Sequence, residues 1–219
     1  MKTWKLLAAA TALCFAATAP LTAHAAGVQV LNEGFTNVAG LSGWLQVNNS
    51  VAPGTGWFQG NQAIFPAQAG NANSYVATSF LGAQHGMGSV DNWLITPVLN
   101  LTDLTTLTFF TRASAEPGWA NQIEVRFSSG SGTDTSTFTT LLSTIGPSGY
   151  PQNWTEYSLN LLVNGSGRFA FRFLGEADAL SYVGIDGVKV VTAVPEPELY
   201  MMLAMGLGAL GLMRRKLVK

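Results

Sequence analysis

The chain has 219 residues, 47% hydrophobic and 11% charged, and its 24 glycines with many Ser, Thr and Asn residues point to a β-rich domain with frequent turns. Between residues 27 and 194 the only cations are Arg112, Arg126, Arg168, Arg172 and Lys189, against ten carboxylates, so this body carries a net charge of −5 while the whole chain carries −1. Such a body lacks the clustered Lys and Arg that nucleic acid or an anionic membrane surface requires, and neither is an expected partner.

The first 25 residues have the three parts of a secretory signal. Lys2 and Lys5 supply the positive start, residues 6–17 form an apolar stretch too short to span a bilayer, and Ala23-His24-Ala25 places small residues where a signal peptidase reads them. Cleavage after Ala25 is expected. The single cysteine, Cys14, lies in this leader, so disulfides, thiolate catalysis and Cys-bound zinc are excluded from the exported body.

The body, residues 26–193, shows short alternating runs separated by turn clusters and is long enough for one sizeable core. In chain order, strands are predicted over residues 28–31, 63–65, 75–79, 92–95, 105–112, 122–128, 154–160, 168–173 and 185–191. The clearest is 122–128, where Ile123, Val125 and Phe127 alternate with Gln122, Glu124 and Arg126; Phe169, Phe171 and Phe173 alternate likewise with Arg168, Ala170 and Arg172. Turn chemistry stands at Pro53-Gly54, Pro117-Gly118, Pro147-Ser148-Gly149 and Asn164-Gly165. The last of these is placed to close a hairpin between 154–160 and 168–173. The Ser/Thr-dense stretch 128–144 reads as a long polar hairpin or a loop. The expected fold is all-β, an antiparallel jelly-roll sandwich, flanked by an N-terminal signal helix and a C-terminal hydrophobic helix.

At the C-terminal end, Val194-Pro195-Glu196-Pro197 precedes an apolar run over 199–213 and the cations Arg214, Arg215 and Lys216. The run is shorter than the roughly 20 residues of a comfortable span, and the basic cluster favours the cytoplasmic side. These three parts, in this order over residues 194–219, resemble the PEP-CTERM sorting signal. That resemblance implies a Gram-negative export, transient inner-membrane insertion through the C-terminal helix, processing by an exosortase, and association with exopolysaccharide. An ordinary tail anchor is the alternative.

The body also carries, in order, Glu33-Gly34-Phe35, Gly43-Trp44, Asp91-Asn92-Trp93-Leu94-Ile95-Thr96-Pro97, Leu107-Thr108-Phe109, Val125-Arg126-Phe127-Ser128, Trp154 and Gly184-Ile185-Asp186-Gly187-Val188. The series resembles the choice-of-anchor J domain, which is similar to the cleaved-adhesin domains of bacterial surface proteases and more remotely to MAM domains. The resemblance implies a jelly-roll sandwich with a non-catalytic role in adhesion or matrix association. It further implies a structural calcium near the meeting of first and last strands. Glu33 and Asp186 are the side chains carried over as ligands and Asp91 is a third candidate, although Gly187 stands where relatives often have a second acid.

The residues offer little for catalysis. The body has one histidine, His85, in a glycine-rich loop, and no Gly-x-Ser-x-Gly elbow. Carboxylates suited to glycoside hydrolysis cannot be paired from their spacing, which keeps a secreted hydrolase as the third reading. A carbohydrate-binding module is the second. It would use ring faces of aromatics in turn-rich segments, and Trp119, Trp57 and Tyr150 are the candidates, whereas Trp44, Trp93 and Trp154 have strand-type neighbours and are assigned to the core.

Overall fold

A computed structural model describes residues 27–193 and, within the tail, residues 203 and 205–207, which are helical. The leader, the Pro-Glu-Pro segment and the basic terminus lie outside the described residues. No helix among those described is long and apolar enough to cross a membrane.

The body is a sandwich of two six-stranded antiparallel sheets. The first contains β1 (Val28–Glu33), β3 (Phe58–Gln59), β4 (Val76–Ser79), β7 (Leu104–Ala113), β10 (Thr155–Leu162) and β12 (Tyr182–Thr192). The second contains β2 (Leu45–Asn48), β5 (Ser89–Ile95), β6 (Leu99–Leu101), β8 (Ile123–Ser129), β9 (Thr140–Ile145) and β11 (Gly165–Glu176). Each sheet is organised around one long strand. β12 pairs with β7 on one edge and shares the other between β4 and β1. β11 pairs with β8 on one edge and shares the other between β5 and β6.

Period-two patterning places the core. Phe127, Phe169, Phe171 and Phe173 of the second sheet face Leu107, Phe109, Val183 and Ile185 of the first, and Phe109 meets Phe171 edge-on at 4.9 Å between ring centres. A buried polar contact also crosses the core. Asn92, fully buried on β5, donates through Nδ2 to Thr78 Oγ1 on β4 at 2.9 Å.

Both sheets are also covered on their outer faces. Residues 60–74 lie over the first sheet, where Phe65, Tyr75 and Tyr182 form a separate aromatic cluster. A side chain at Gly184 would strike the rings of Tyr75 and Phe65, so only glycine gives this cluster its floor. The Ser/Thr-rich segment after β8 turns back over the second sheet and seats Phe138 against Trp93, Ile95 and Ala170.

Two expectations are corrected here. Residues 63–65 are not a strand, because the N–H groups of Ile64 and Phe65 both bond the Asn61 carbonyl and close a turn. Asn164-Gly165 closes no hairpin. β10 and β11 belong to different sheets, Val163 N–H bonds the Asp103 carbonyl, and Asn164 Oδ1 accepts from Asp103 N–H, so this connection is a crossover. The short strands β2, β3 and β6 match no predicted run, whereas β9 pairs with β8 across the Ser/Thr-dense stretch, which is the hairpin reading of residues 128–144.

Phe138→Ala should expose Trp93 and Ile95 and cost about 3–5 kcal/mol, the range for deleting a buried phenyl ring. Denaturant unfolding checks this; a loss under about 0.5 kcal/mol, typical of a surface residue, would show that the segment is only a surface loop.

Candidate functional site

The expected calcium ligands occupy three different settings. Asp186 lies at the seam of β12 where β4 ends and β1 begins, and the register against β7 shifts between Asp186 and Lys189. Gly187 takes a φ of +57°, a conformation that suits glycine. Asp186 is 1% exposed beneath the covering loop. Its Oδ2 accepts from the N–H groups of Gln68 and Ala69 at 2.9 and 3.2 Å, and its Oδ1 from that of Gly187 at 2.7 Å. Glu33 ends β1, and its Oε1 accepts from Phe35 N–H at 2.7 Å. Asp91 is on the other sheet, where its Oδ1 accepts from Arg172 Nε at 2.6 Å.

The three carboxylates are thus not gathered, and no three His, Cys, Asp or Glu side chains come together as a metal site among the described residues. Both oxygens of Asp186 already face N–H donors, which a cation would repel. As arranged, these residues do not fit a calcium cage of hard oxygen ligands. Asp186 instead ties residues 68 and 69 to the sheet.

The aromatic candidates separate sharply. Trp57 is 4% exposed and belongs to the main core, where it offers no ring to solvent. Trp119 is 38% exposed, and with Tyr150 it lines a cavity of about 160 Å³ at the end of the sandwich where β7 finishes and β12 starts. Tyr150 is its buried wall. Thr111 Oγ1 donates to the Gly184 carbonyl at 2.7 Å, which leaves its oxygen to accept the Tyr150 hydroxyl at 2.6 Å. Burial raises the Tyr150 hydroxyl far above its ordinary value, so it stays protonated.

The remaining lining is polar and held from several sides. Glu116 and Gln152 are exposed at the cavity. The Trp119 loop is pinned by Ser114 N–H to the Tyr182 carbonyl at 3.0 Å and by Ala120 N–H to the Ala179 carbonyl at 2.7 Å. Asn121 grips Ser181 twice, donating to its Oγ and accepting from its N–H, each at 2.8 Å. Ala113 N–H bonds the Pro151 carbonyl at 2.8 Å and fixes the opposite wall. His85, in contrast, is exposed in a turn at residues 84–86.

The chain's sequence over residues 28–190 matches the Cleaved Adhesin Domain. The chain belongs to this family. Residues 193–216 match the PEP-CTERM protein-sorting motif, which implies exosortase processing, and the two together mark an exported cell-surface protein. The K1 cleaved adhesin domain of Lys-gingipain from Porphyromonas gingivalis W83 is similar, with a TM-score of 0.59 and 26% identity over 75% of this chain and 98% of that one. The K3 domain of the same protein gives 0.53 and 25%, over 77% of this chain and 100% of that one. The K2 domain, at 17% identity and a TM-score of 0.52 over 74% of this chain and 98% of that one, shares the fold. No curated protein matches the chain.

Two predictions follow from the Asp186 geometry. With both oxygens of Asp186 facing N–H groups, melting temperatures in chelator and in excess calcium should be equal; a rise with calcium would show that the ion binds the folded state. Burial pushes the Asp186 carboxyl up to about 6, against the opposing pull of the N–H groups of Ala69, Gly187 and Gln68. The folded chain therefore holds this proton more tightly than the unfolded chain, whose carboxyl titrates near 3.8. The contribution is greatest below the lower value and is lost as pH rises toward the upper one. Asp186→Asn should remove that fall from the melting profile. It should also cost about 1–3 kcal/mol at neutral pH, because an amide N–H₂ then faces backbone donors.

Proposed function

We propose that this protein is a non-catalytic component of the cell surface or extracellular matrix that contacts exopolysaccharide through the Trp119 cavity. The observation that supports this most is the convergence of Trp119 and Tyr150, 31 residues apart in the chain, on one cavity with exposed Glu116 and Gln152 at its edge. An indole face suits the apolar face of a pyranose ring, and a carboxylate with an amide suits its hydroxyls. The fixed loops reduce the ordering cost of binding.

Catalysis is disfavoured by the same lining. Glycoside hydrolysis by the usual route uses two carboxylates across the scissile bond, and Glu116 is the one acid that lines this cavity. The acidic body favours a neutral over an anionic glycan. Export is proposed to use a signal peptidase after Ala25. Transient insertion of the C-terminal helix in the inner membrane and exosortase action at Val194, Pro195, Glu196 and Pro197, with Arg214 and Arg215 held in the cytoplasm, would then follow.

Trp119→Ala should weaken binding to neutral polysaccharide about tenfold or more, without changing the melting temperature by more than a surface substitution does. Affinity electrophoresis against the host's own exopolysaccharide measures it; equal retardation of both proteins would remove the cavity from the proposal. The mass of the protein recovered from the cell exterior tests the processing, which requires loss of residues 1–25 and of the basic end. Retention of Arg214 and Arg215 would leave a tail anchor.

A further inference from the structure

The outer face of the second sheet carries another cleft, of about 310 Å³, which shares no residue with the Trp119 cavity. Trp93 of β5 forms its floor, with Asp91, Arg126 and Arg172 beside it. Thr135, Ser136 and Thr139 of the covering segment form the rim.

Trp93 is 4% exposed, and its indole Nε1 has no hydrogen-bond partner among the described residues. The Nε1 atom is itself buried, so Trp93 serves the cleft as an apolar floor and its indole N–H as a reporter of what binds above it. The charged groups around it form a neutral set. Arg172 Nε donates to Asp91 at 2.6 Å and its Nη1 to Glu124 at 3.2 Å, while Arg126 Nε donates to Glu124 at 2.7 Å. Their side chains keep between 13% and 26% exposure, so the ion pairs are not sealed from the cleft. The guanidinium of Arg172 also lies 5.0 Å from the centre of the Trp93 ring, which fixes both groups.

The rim is equally well held. Asn49 Nδ2 donates to Thr135 Oγ1 at 3.0 Å, Ser128 Oγ to Thr137 Oγ1 at 3.0 Å, and Arg126 Nη1 to the Phe138 carbonyl at 3.1 Å. The outcome is a preformed cleft with an indole floor, guanidinium donors, carboxylate acceptors and rim hydroxyls.

A bound anion would meet guanidinium groups already neutralised by carboxylates, in a body of net charge −5. A sugar hydroxyl both donates and accepts, so adjacent hydroxyls can engage a guanidinium N–H and a carboxylate oxygen together. The volume is near the lower end for ligand pockets and suits one sugar ring. We propose that this cleft is a second ligand site, built to take one residue of a neutral saccharide through Arg172, Arg126 and Asp91 above the Trp93 floor.

The test follows the indole N–H signals of the ¹⁵N-labelled full-length chain in a sugar-free detergent, with neutral gluco-, galacto-, manno- and xylo-oligosaccharides as probes at millimolar concentration. Trp93→Phe assigns the Trp93 signal and Trp119→Ala that of Trp119. At least one neutral probe should shift the Trp93 signal, and the shift should persist in Trp119→Ala, which separates this site from the cavity at the sandwich end. Ser136→Phe, an exposed rim change that fills the cleft while leaving Trp93 in place, should weaken the response about tenfold. An unmoved Trp93 signal with every neutral probe, an unchanged response in Ser136→Phe, or a response to glucuronate oligomers alone would each overturn the proposal.

Discussion

A β-strand has two hydrogen-bonding edges, and β12 must serve three neighbours. β7 takes one edge, while β4 and β1 divide the other at Asp186 and Gly187. The division leaves backbone groups at the seam that a continuous partner would have satisfied. Asp186 supplies much of the remedy by accepting from its own neighbour and from two N–H groups of the covering loop. That loop brings Phe65 over the sheet, and Gly184, two residues before Asp186, leaves the space its ring needs. Strand division, a left-handed glycine and loop closure are therefore one constraint.

The second sheet meets a parallel demand with different chemistry. β11 also divides one edge between two partners, β6 and β5. Its outer face is covered by Phe138 and cross-linked by ion pairs instead of one buried carboxylate. Glu124 shows the balance within that network. Burial raises its carboxyl, but hydrogen bonds from Arg126 and Arg172 outweigh burial and hold it below the usual carboxylate range. The charges are spent largely on one another, which leaves donors and acceptors in balance on the surface they form.

Much of the sandwich was legible because Ile123, Val125 and Phe127 of β8, and Phe169, Phe171 and Phe173 of β11, recur at every second position and fill the core. β5 lacks that simplicity. Val90 and Leu94 enter the core while Trp93 and Ile95 lie beneath Phe138, so both faces are apolar and alternation is lost. The family-like run at residues 91–97 still marked it, and its polar residues have separate tasks. Asp91 pairs with Arg172, Asn92 reaches the opposite sheet, and Thr96 Oγ1 accepts from Phe169 N–H. Residues 63–65 misled for the opposite reason, since an apolar triplet serves a loop plug as well as a strand. Trp57 and Trp119 both sit near turns, and only the packing of distant strands decides that one is core and the other rim. The cleft at Trp93 draws on four separate segments and had no local signature.

The direction of β12 has a geometric consequence. The strand starts at Tyr182, beside the Trp119 cavity, and runs to Thr192, after which the sequence continues into its sorting tail. Eleven residues in extended conformation span about 36 Å. Tethering at the tail end would place the cavity at the far pole of the sandwich, so the body itself acts as a standoff that carries the indole of Trp119 outward, clear of whatever the tail is fastened to.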